Sequence, residues 1–113
     1  MAKDNQQIAT DDMQQTIYKE LGYKSYPFPF TTPAYLEAYG TLVGLKPPTA
    51  KTARVLELGA TYGGNIISQA VHNPEATFIG IELSQDQVEK GNKIISDAKL
   101  DNVSLLQGDI LNF

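Results

Sequence analysis

The sequence predicts an α/β fold whose second half is a parallel βαβαβ unit preceded by two short helices. Three observations support this. Short apolar runs alternate with segments of helical periodicity, each run closes near an acidic residue, and a glycine-rich turn joins the first strand to the next helix. Strands that alternate with helices form parallel sheets with right-handed crossovers. The predicted elements are strands at Arg54–Leu58, Thr77–Glu82 and Val103–Gln107, and helices at Gly64–His72 and from Ser84 onward.

The last helix has the clearest local signals. Ser84 with Gln87 forms the pattern of a capping box, and the apolar residues of the helix are predicted to point inward. Gly91 in the middle of this helix is unfavourable by about 1 kcal/mol relative to alanine. The residues predicted to face the sheet are Val88, Ile94, Ile95 and Ala98.

The sequence predicts that the chain is divided into three segments. Residues 1–10 are polar and are expected to be a disordered tail. A helical and aromatic cap is expected over residues 11–52, and a partial ligand-binding domain over 53–113. Within the cap, one helix starts at Asp11 or Asp12, carries Met13, Ile17 and Leu21, and stops at Gly22. A second helix starts at Thr32-Pro33 and closes at Gly44, with Tyr35, Leu36, Tyr39, Leu42 and Val43 as its apolar face.

Composition excludes several classes of function. The formal net charge is −4, and no lysine or arginine cluster is present to bind nucleic acid. No apolar stretch is long enough to span a bilayer, and no signal peptide is visible. The chain has no cysteine and one histidine, so thiolate and multi-histidine metal sites are excluded. A cytoplasmic location without a membrane or nucleic-acid partner is the expectation.

The glycine-rich turn has the sequence V-L-E-L-G-A-T-Y-G-G-N from Val55 to Asn65. Gly59 allows close approach of a ligand to the backbone, and Gly63 opens the next helix. Thr61 stands where a dinucleotide fingerprint has its middle glycine, and Glu57 would repel a pyrophosphate. A carboxylate at Glu57 suits a ligand that carries an ammonium group. The alternative is that these glycines serve packing alone.

Two further acids follow the next two strands. Glu82 ends the second strand, where an acid accepts both hydroxyl groups of a ribose. Asp109 follows the third strand and can accept an exocyclic amine such as that of adenine, with Ile110 against the ring. The alternatives are a helix-capping anion at Glu82 and a turn-forming aspartate at Asp109. Because the carboxyl ends of parallel strands form one edge, the three acids are expected to meet there.

These segments, V-L-E-L-G-A-T-Y-G-G-N, F-I-G-I-E-L-S and V-S-L-L-Q-G-D-I-L, resemble the first three motifs of class I S-adenosylmethionine-dependent methyltransferases. The resemblance implies the N-terminal half of their Rossmann-like fold, with S-adenosyl-L-methionine as cofactor. It implies the methionine portion at the loop from Glu57 to Gly63, the ribose at Glu82, and the adenine at Asp109 and Ile110. Thr61 departs from the usual glycine. The full implied set is Glu57, Gly59, Ala60, Thr61, Gly63, Glu82, Leu83, Asp109 and Ile110.

The upstream stretch Y-P-F-P-F-T-T-P-A-Y-L is similar to the N-terminal region of a bacterial methyltransferase subgroup. A methyltransferase regulatory domain commonly follows in that subgroup, and some of its members methylate protein lysines. Many have histidine where this chain has Thr32, so the acceptor stays open between protein and small molecule. The aromatic residues Tyr26, Phe28 and Phe30 either cover the cofactor or pack the helices onto the sheet.

The sequence is expected to be a fragment, because three parallel strands build only half of a doubly wound sheet. A complete small domain that dimerises through its open edge is the alternative. We expect the fragment alone to be inactive, and no catalytic residue is assigned. Two rival functions are a nicotinamide-dependent oxidoreductase, which Glu57 and Thr61 disfavour, and a noncatalytic assembly module.

Overall fold

The computed structural model describes residues 24–112 together with residues 5, 6 and 13. The predicted disordered tail and the predicted helix between Asp11 and Gly22 therefore lie almost entirely outside the described residues. Of these two segments only Asn5, Gln6 and Met13 are described, and all three are helical.

Residues 24–112 contain three α-helices and three strands. Helix α1 spans Pro33–Leu42, and the βαβαβ unit follows as β1 (Arg54–Leu58), α2 (Gly64–His72), β2 (Thr77–Glu82), α3 (Gln85–Asp97) and β3 (Val103–Gln107). Short 3₁₀ turns lie at Pro29–Thr31, Ala50–Thr52 and Ile110–Asn112. The predicted bounds of the three strands and of α2 are confirmed.

The strands form one parallel sheet in the order β1-β2-β3. Val55 pairs with Phe78, and Phe78 pairs in turn with Val103. All three strands therefore end at the same edge, and the loops that follow them are neighbours. The predicted parallel unit is confirmed.

The core lies between one face of the sheet and the helices α2 and α3. Phe78 at its centre is 0% exposed, and Ile66 of α2 is 1% exposed. Burying such a side chain contributes about 1.5–3 kcal/mol. The other buried members of this cluster are Ala60, Ala70, Ala76, Val88, Ile95, Val103 and Leu105.

The opposite face of the sheet is largely open among the described residues, although Ile81 on that face is only 2% exposed. Leu56 and Leu58 of β1 are 62% and 57% exposed, although the apolar run of this strand is typical of one that is buried. Only the side chains of Val55 and Glu57 turn toward the helices, because successive residues of a strand point to opposite faces. Ile79 and Leu106 continue the open apolar face across β2 and β3.

Helix α1 begins and ends as predicted but does not bury its apolar residues. Thr32 is the N-cap, and Gly44 has a φ of 86°. The bonds from Leu45 N to Gly40 O and from Gly44 N to Thr41 O form a Schellman ending, which favours glycine at this position. The five residues predicted as the apolar face are 46–80% exposed: Tyr35, Leu36, Tyr39, Leu42 and Val43.

Helix α3 corrects two further predictions. Val88 and Ile95 are buried, whereas Ile94 is 50% exposed and Ala98 is exposed as well. Ser84 is the N-cap, but its side chain makes no capping bond. Its hydroxyl and the amide of Gln87 are buried with no partner among the described residues, so the predicted capping box does not form.

Candidate functional site

The turn after β1, residues 59–63 (the glycine loop), folds back over the end of β2. The amides of Gly59 and Ala60 both donate to Ile81 O, at 2.8 and 3.0 Å. Gly59 and Gly63 have φ values of 72° and 83°, in the left-handed region that favours glycine. Ala60 is 3% exposed, so the loop packs into the core instead of projecting from it.

Two glycines outside the loop make this packing possible. A Cβ on Gly80 would lie 2.6 Å from Ala60 Cβ and 2.7 Å from Ile66 Cδ1. A Cβ on Gly91 would lie 2.6 Å from Tyr62 O and overlap the side chain of Leu105. The glycine in the middle of α3 is therefore explained, because the loop backbone crosses the helix there.

Thr61 has a φ of 51°, although it is a β-branched residue. Such residues rarely adopt left-handed conformations, and holding one there is unfavourable by about 1–3 kcal/mol. Its amide donates to Glu82 Oε2 at 2.9 Å, and its hydroxyl donates to Ser25 Oγ at 2.8 Å. The loop therefore keeps a glycine-like path with threonine at this position.

Glu82 is 1% exposed and holds the glycine loop by accepting hydrogen bonds. Its Oε2 accepts from the Thr61 amide, and its Oε1 accepts from the Ser84 amide at 3.0 Å. The alternative interpretation of Glu82, a helix-capping anion, therefore describes this structure, because its carboxylate accepts from the amide of the N-cap residue Ser84. Contact of Glu82 with a ribose would require a shift of the groups that cover the carboxylate.

Glu57 has a different environment. Its Oε1 accepts from Asn65 Nδ2 at 3.0 Å, while Oε2 is buried with no partner among the described residues. Burial raises the pKa of the Glu57 carboxyl above its ordinary value, and the bond from Asn65 opposes part of that shift. A buried carboxylate oxygen without a donor favours a ligand that supplies one.

Glu57 lines a cavity of about 240 Å³ between β1, α2 and the segment before α1. Asn65 and Gln69 of α2 also line it, and both are buried. Gln69 Oε1 is a second buried acceptor with no partner among the described residues. Neither Glu82 nor Asp109 is among the described residues that line this cavity.

Residues 24–31, here called the strap, lie across the start of α2. Phe28 N donates to Asn65 Oδ1 at 2.7 Å. Thr31 Oγ1 accepts from Asn65 Nδ2 at 3.0 Å and from Gln69 Nε2 at 3.1 Å. Ser25 Oγ accepts from Gly64 N at 2.8 Å. The strap is therefore tied by side chains to the same loop and helix that follow Glu57.

Asp109 follows β3, and the glycine that precedes it is bonded to the end of β2. Gly108 N donates to Glu82 O at 3.0 Å, so the backbones of the two segments are neighbours. The carboxylate of Asp109 accepts from Leu111 N at 2.9 Å and from Asn112 Nδ2 at 3.1 Å. The turn-forming interpretation of Asp109 thus describes this structure. Ile110 is 54% exposed and is accessible to an apolar ring.

Comparisons with known proteins assign the family. The profile of the family Methyltransf_4, described as "Putative methyltransferase", matches residues 51–113. This range covers more than half of the chain and includes the glycine loop and all three acids. The chain belongs to this methyltransferase family.

The relatives are longer methyltransferases or uncharacterized proteins. An uncharacterized protein of Rickettsia prowazekii is 41% identical over 95 residues, covering 84% of this chain and 38% of that protein. The structure of PKMT2 from Rickettsia typhi in complex with AdoHcy is similar with a TM-score of 0.75 and 42% identity, over 80% of this chain and 18% of that one. The chain therefore spans well under half the length of these relatives.

An RNA methyltransferase from Salinibacter ruber, solved in complex with S-adenosyl-L-homocysteine, is also similar. Its TM-score is 0.52 with 31% identity, over 56% of this chain and 41% of that one. The three-stranded parallel sheet thus corresponds to the N-terminal part of a Rossmann-like methyltransferase fold, as the motifs predicted.

Sequence reasoning missed part of this candidate site. Asn65 and Gln69 are one helical turn apart on α2, beside the apolar residues Ile66 and Ala70, which is a visible signal of buried amides. Ser25 carries no such signal, because its contact depends on how the strap crosses the loop.

Within residues 24–112 and the three isolated described positions, no cluster of histidine and acidic side chains is arranged to hold a metal ion. In the same part of the chain, no helix is both long and apolar enough to cross a membrane.

Proposed function

We propose that this chain is the cofactor-binding part of an S-adenosylmethionine-dependent methyltransferase. The observation that carries the proposal is the buried carboxylate of Glu57, directly before the glycine loop, with one oxygen that has no partner among the described residues. An ammonium group, such as that of the methionine portion, supplies both the donor and the opposite charge. Membership of a methyltransferase family supports the same cofactor.

The proposed contacts follow the order of the loops. The methionine portion lies against Glu57 and the glycine loop, whose contributing residues are Gly59, Ala60, Thr61 and Gly63. Glu82 and Leu83 take the ribose, and Asp109 with Ile110 takes the adenine. All three groups of residues lie at the carboxyl edge of the sheet, where open α/β sheets bind ligands. This fold needs mainly to position the sulfonium for in-line attack.

The proposal extends to the organisation of the protein. Residues 53–113 are assigned to the cofactor-binding domain and 11–52 to a cap, with catalytic residues supplied by other parts of the whole protein. A protein lysine is the proposed methyl acceptor, supported by 42% identity to PKMT2 and by the resemblance of the strap region to a subgroup with protein-lysine methyltransferases. A cytoplasmic location is supported by the absence of cysteine.

Calorimetric titration with S-adenosylhomocysteine tests the cofactor directly, with NAD as the competing ligand. We expect the first to bind and to raise the melting temperature, and NAD to do neither, because Glu57 repels its pyrophosphate. The titration is made on this chain and on the longer protein that contains it. If NAD binds and S-adenosylhomocysteine does not, the oxidoreductase is favoured. If neither ligand binds to this chain or to the longer protein, the proposal is refuted.

One observation favours a second candidate, the assembly module. The open face of the sheet exposes Leu56, Leu58, Ile79 and Leu106, and exposed apolar patches mark interaction surfaces. A chain with this role would sediment as an oligomer and show no response to S-adenosylhomocysteine. A monomer that binds the cofactor excludes it.

A further inference from the structure

Two hydrogen bonds converge on one hydroxyl where the strap meets the glycine loop. Ser25 Oγ accepts from Thr61 Oγ1 and from Gly64 N, each at 2.8 Å. A hydroxyl oxygen has two lone pairs, so both acceptor positions of Ser25 are filled by the loop and the first residue of α2.

The loop needs such a restraint because of Thr61. Its φ of 51° is a conformation that glycine adopts freely and that a β-branched residue resists. Thr61 is held from two sides, through its amide by Glu82 and through its hydroxyl by Ser25. Threonine at this position therefore requires partners that a glycine would not.

Gly64 shows that the contact with the strap is built into the sequence. A Cβ on Gly64 would lie 2.6 Å from Ser25 Oγ and 2.8 Å from Ser25 C, and these close contacts all involve the strap. The three atoms nearest to this Cβ all belong to Ser25, so docking of the strap requires glycine at this position.

We propose that Ser25 is a positioning residue of the cofactor loop. It holds Thr61 in its left-handed conformation, so that docking of the strap and binding of the methionine portion are coupled. The inference rests on the proposed function for its ligand, and its geometric part is testable without any ligand.

Three variants separate this role from simple attachment of the strap. Ser25→Ala removes the acceptor, Thr61→Val removes the hydroxyl but keeps the β-branched side chain, and Thr61→Gly removes both. We expect the first two to bind S-adenosylhomocysteine roughly threefold to tenfold more weakly, the range for one net hydrogen bond. Thr61→Gly should stay within about twofold of the wild type, because glycine needs no restraint at this φ. Ser96→Ala, on the exposed surface of α3, is the control and should bind as the wild type does.

Equal weakening by Thr61→Val and Thr61→Gly, or wild-type affinity of Ser25→Ala, would overturn the inference. Hydrogen exchange of the Thr61 amide supplies the ligand-free test. Its exchange should rise about threefold or more in Ser25→Ala and Thr61→Val, and stay near the wild-type rate in Thr61→Gly. If the wild type fails to bind S-adenosylhomocysteine but this exchange pattern appears, the cofactor assignment fails and the positioning role stands. Unchanged exchange in Ser25→Ala refutes the positioning role.

Discussion

Glu57 is the penultimate residue of β1 and Glu82 is the last residue of the neighbouring β2. They carry the same functional group, yet their surroundings give them different roles. Glu82 accepts backbone amides on both oxygens and fixes the glycine loop relative to the start of α3. Glu57 is held by one side-chain amide and keeps a buried oxygen with no partner among the described residues. Glu57 is therefore the residue whose environment is improved by a cationic ligand.

Glu57→Gln tests this at the level of binding. The substitution keeps the shape of the side chain and removes its charge, so we expect S-adenosylhomocysteine to bind about tenfold more weakly, as for a lost charge-assisted hydrogen bond. Glu89→Gln on the exposed face of α3 is the matched control and should leave the affinity unchanged. Equal affinity of wild type and Glu57→Gln in calorimetric titration would remove Glu57 from the site.

The same variant predicts a pH dependence of stability. Because burial raises the pKa of Glu57 in the folded state, the folded protein holds this proton more tightly than the unfolded chain. The wild type therefore loses stability relative to Glu57→Gln as the pH rises through the raised pKa, and the difference between the two proteins is constant below the ordinary value of 4.5. Urea unfolding of both proteins at pH 4 and pH 7 measures the difference, and a stability difference that does not change in this direction between the two pH values contradicts the assignment.

At the level of elements, the glycine loop is shaped by close approaches between α2, α3 and the strap. Gly91 lets the backbone of Tyr62 cross α3, and Gly64 lets Ser25 reach the start of α2. The motif from Gly59 to Gly63 predicted a loop here, but the sequence alone did not show which neighbours the other glycines accommodate.

Gly91→Ala and Gly40→Ala form a matched pair of helical substitutions. Alanine at position 91 would overlap Leu105 and approach Tyr62, so we expect a loss of about 1–3 kcal/mol of stability despite better helix propensity. Alanine at position 40 would meet nothing closer than Pro47 Cγ at 3.4 Å, and should be neutral or stabilising by up to about 1 kcal/mol. Thermal unfolding compares them, and a Gly91→Ala protein as stable as Gly40→Ala would show that the crossing is looser than described.

Gly64→Ala tests the docking of the strap. Its Cβ would displace Ser25, so we expect faster exchange of the Phe28 amide, which bonds to Asn65 in the strap contact. The amides of β2 should keep their protection, because the atoms nearest to the added Cβ all belong to Ser25. Unchanged exchange at Phe28 would mean that the strap tolerates a side chain at position 64.

For the whole molecule, the decisive asymmetry is that one face of the sheet is packed and the other is open among the described residues. Leu105 is 2% exposed beneath α3, whereas Leu56 is 62% exposed on the opposite face. The apolar pattern of β1 is typical of a strand that is buried on both faces. The leucine residues of β1 that point to the open face are nevertheless exposed.

Leu105→Ala and Leu56→Ala compare these faces with the same chemical change. We expect Leu105→Ala to lower the free energy of unfolding by about 2–5 kcal/mol. Leu56→Ala should change it by less than about 1 kcal/mol in a monomer, since little buried contact is lost. Chemical unfolding with sedimentation velocity measures both. A large effect of Leu56→Ala, together with an oligomer in sedimentation, would show that a second copy covers the open face in solution.

Much of the fold followed from local patterns. The strands Arg54–Leu58, Thr77–Glu82 and Val103–Gln107 and the helix Gly64–His72 are bounded by signals that act within a few residues, such as glycine, proline and the change of period. The exposure of Ile94 and of the apolar residues of α1 was not predictable this way, because it depends on which faces find a neighbour. Among the site residues, the positions of Glu57, Glu82 and Asp109 at one edge followed from strand order, while their hydrogen-bond partners did not.

The sequence by itself determined the parallel βαβαβ unit, the glycine loop and the methyltransferase family, since each depends on residue type at fixed spacing along the chain. Only the tertiary structure decided that Glu82 supports the loop, that Glu57 keeps a buried oxygen, and that Ser25 restrains Thr61. These contacts join residues 21–39 positions apart or depend on burial, and chain spacing carries no information about which of two acids is desolvated.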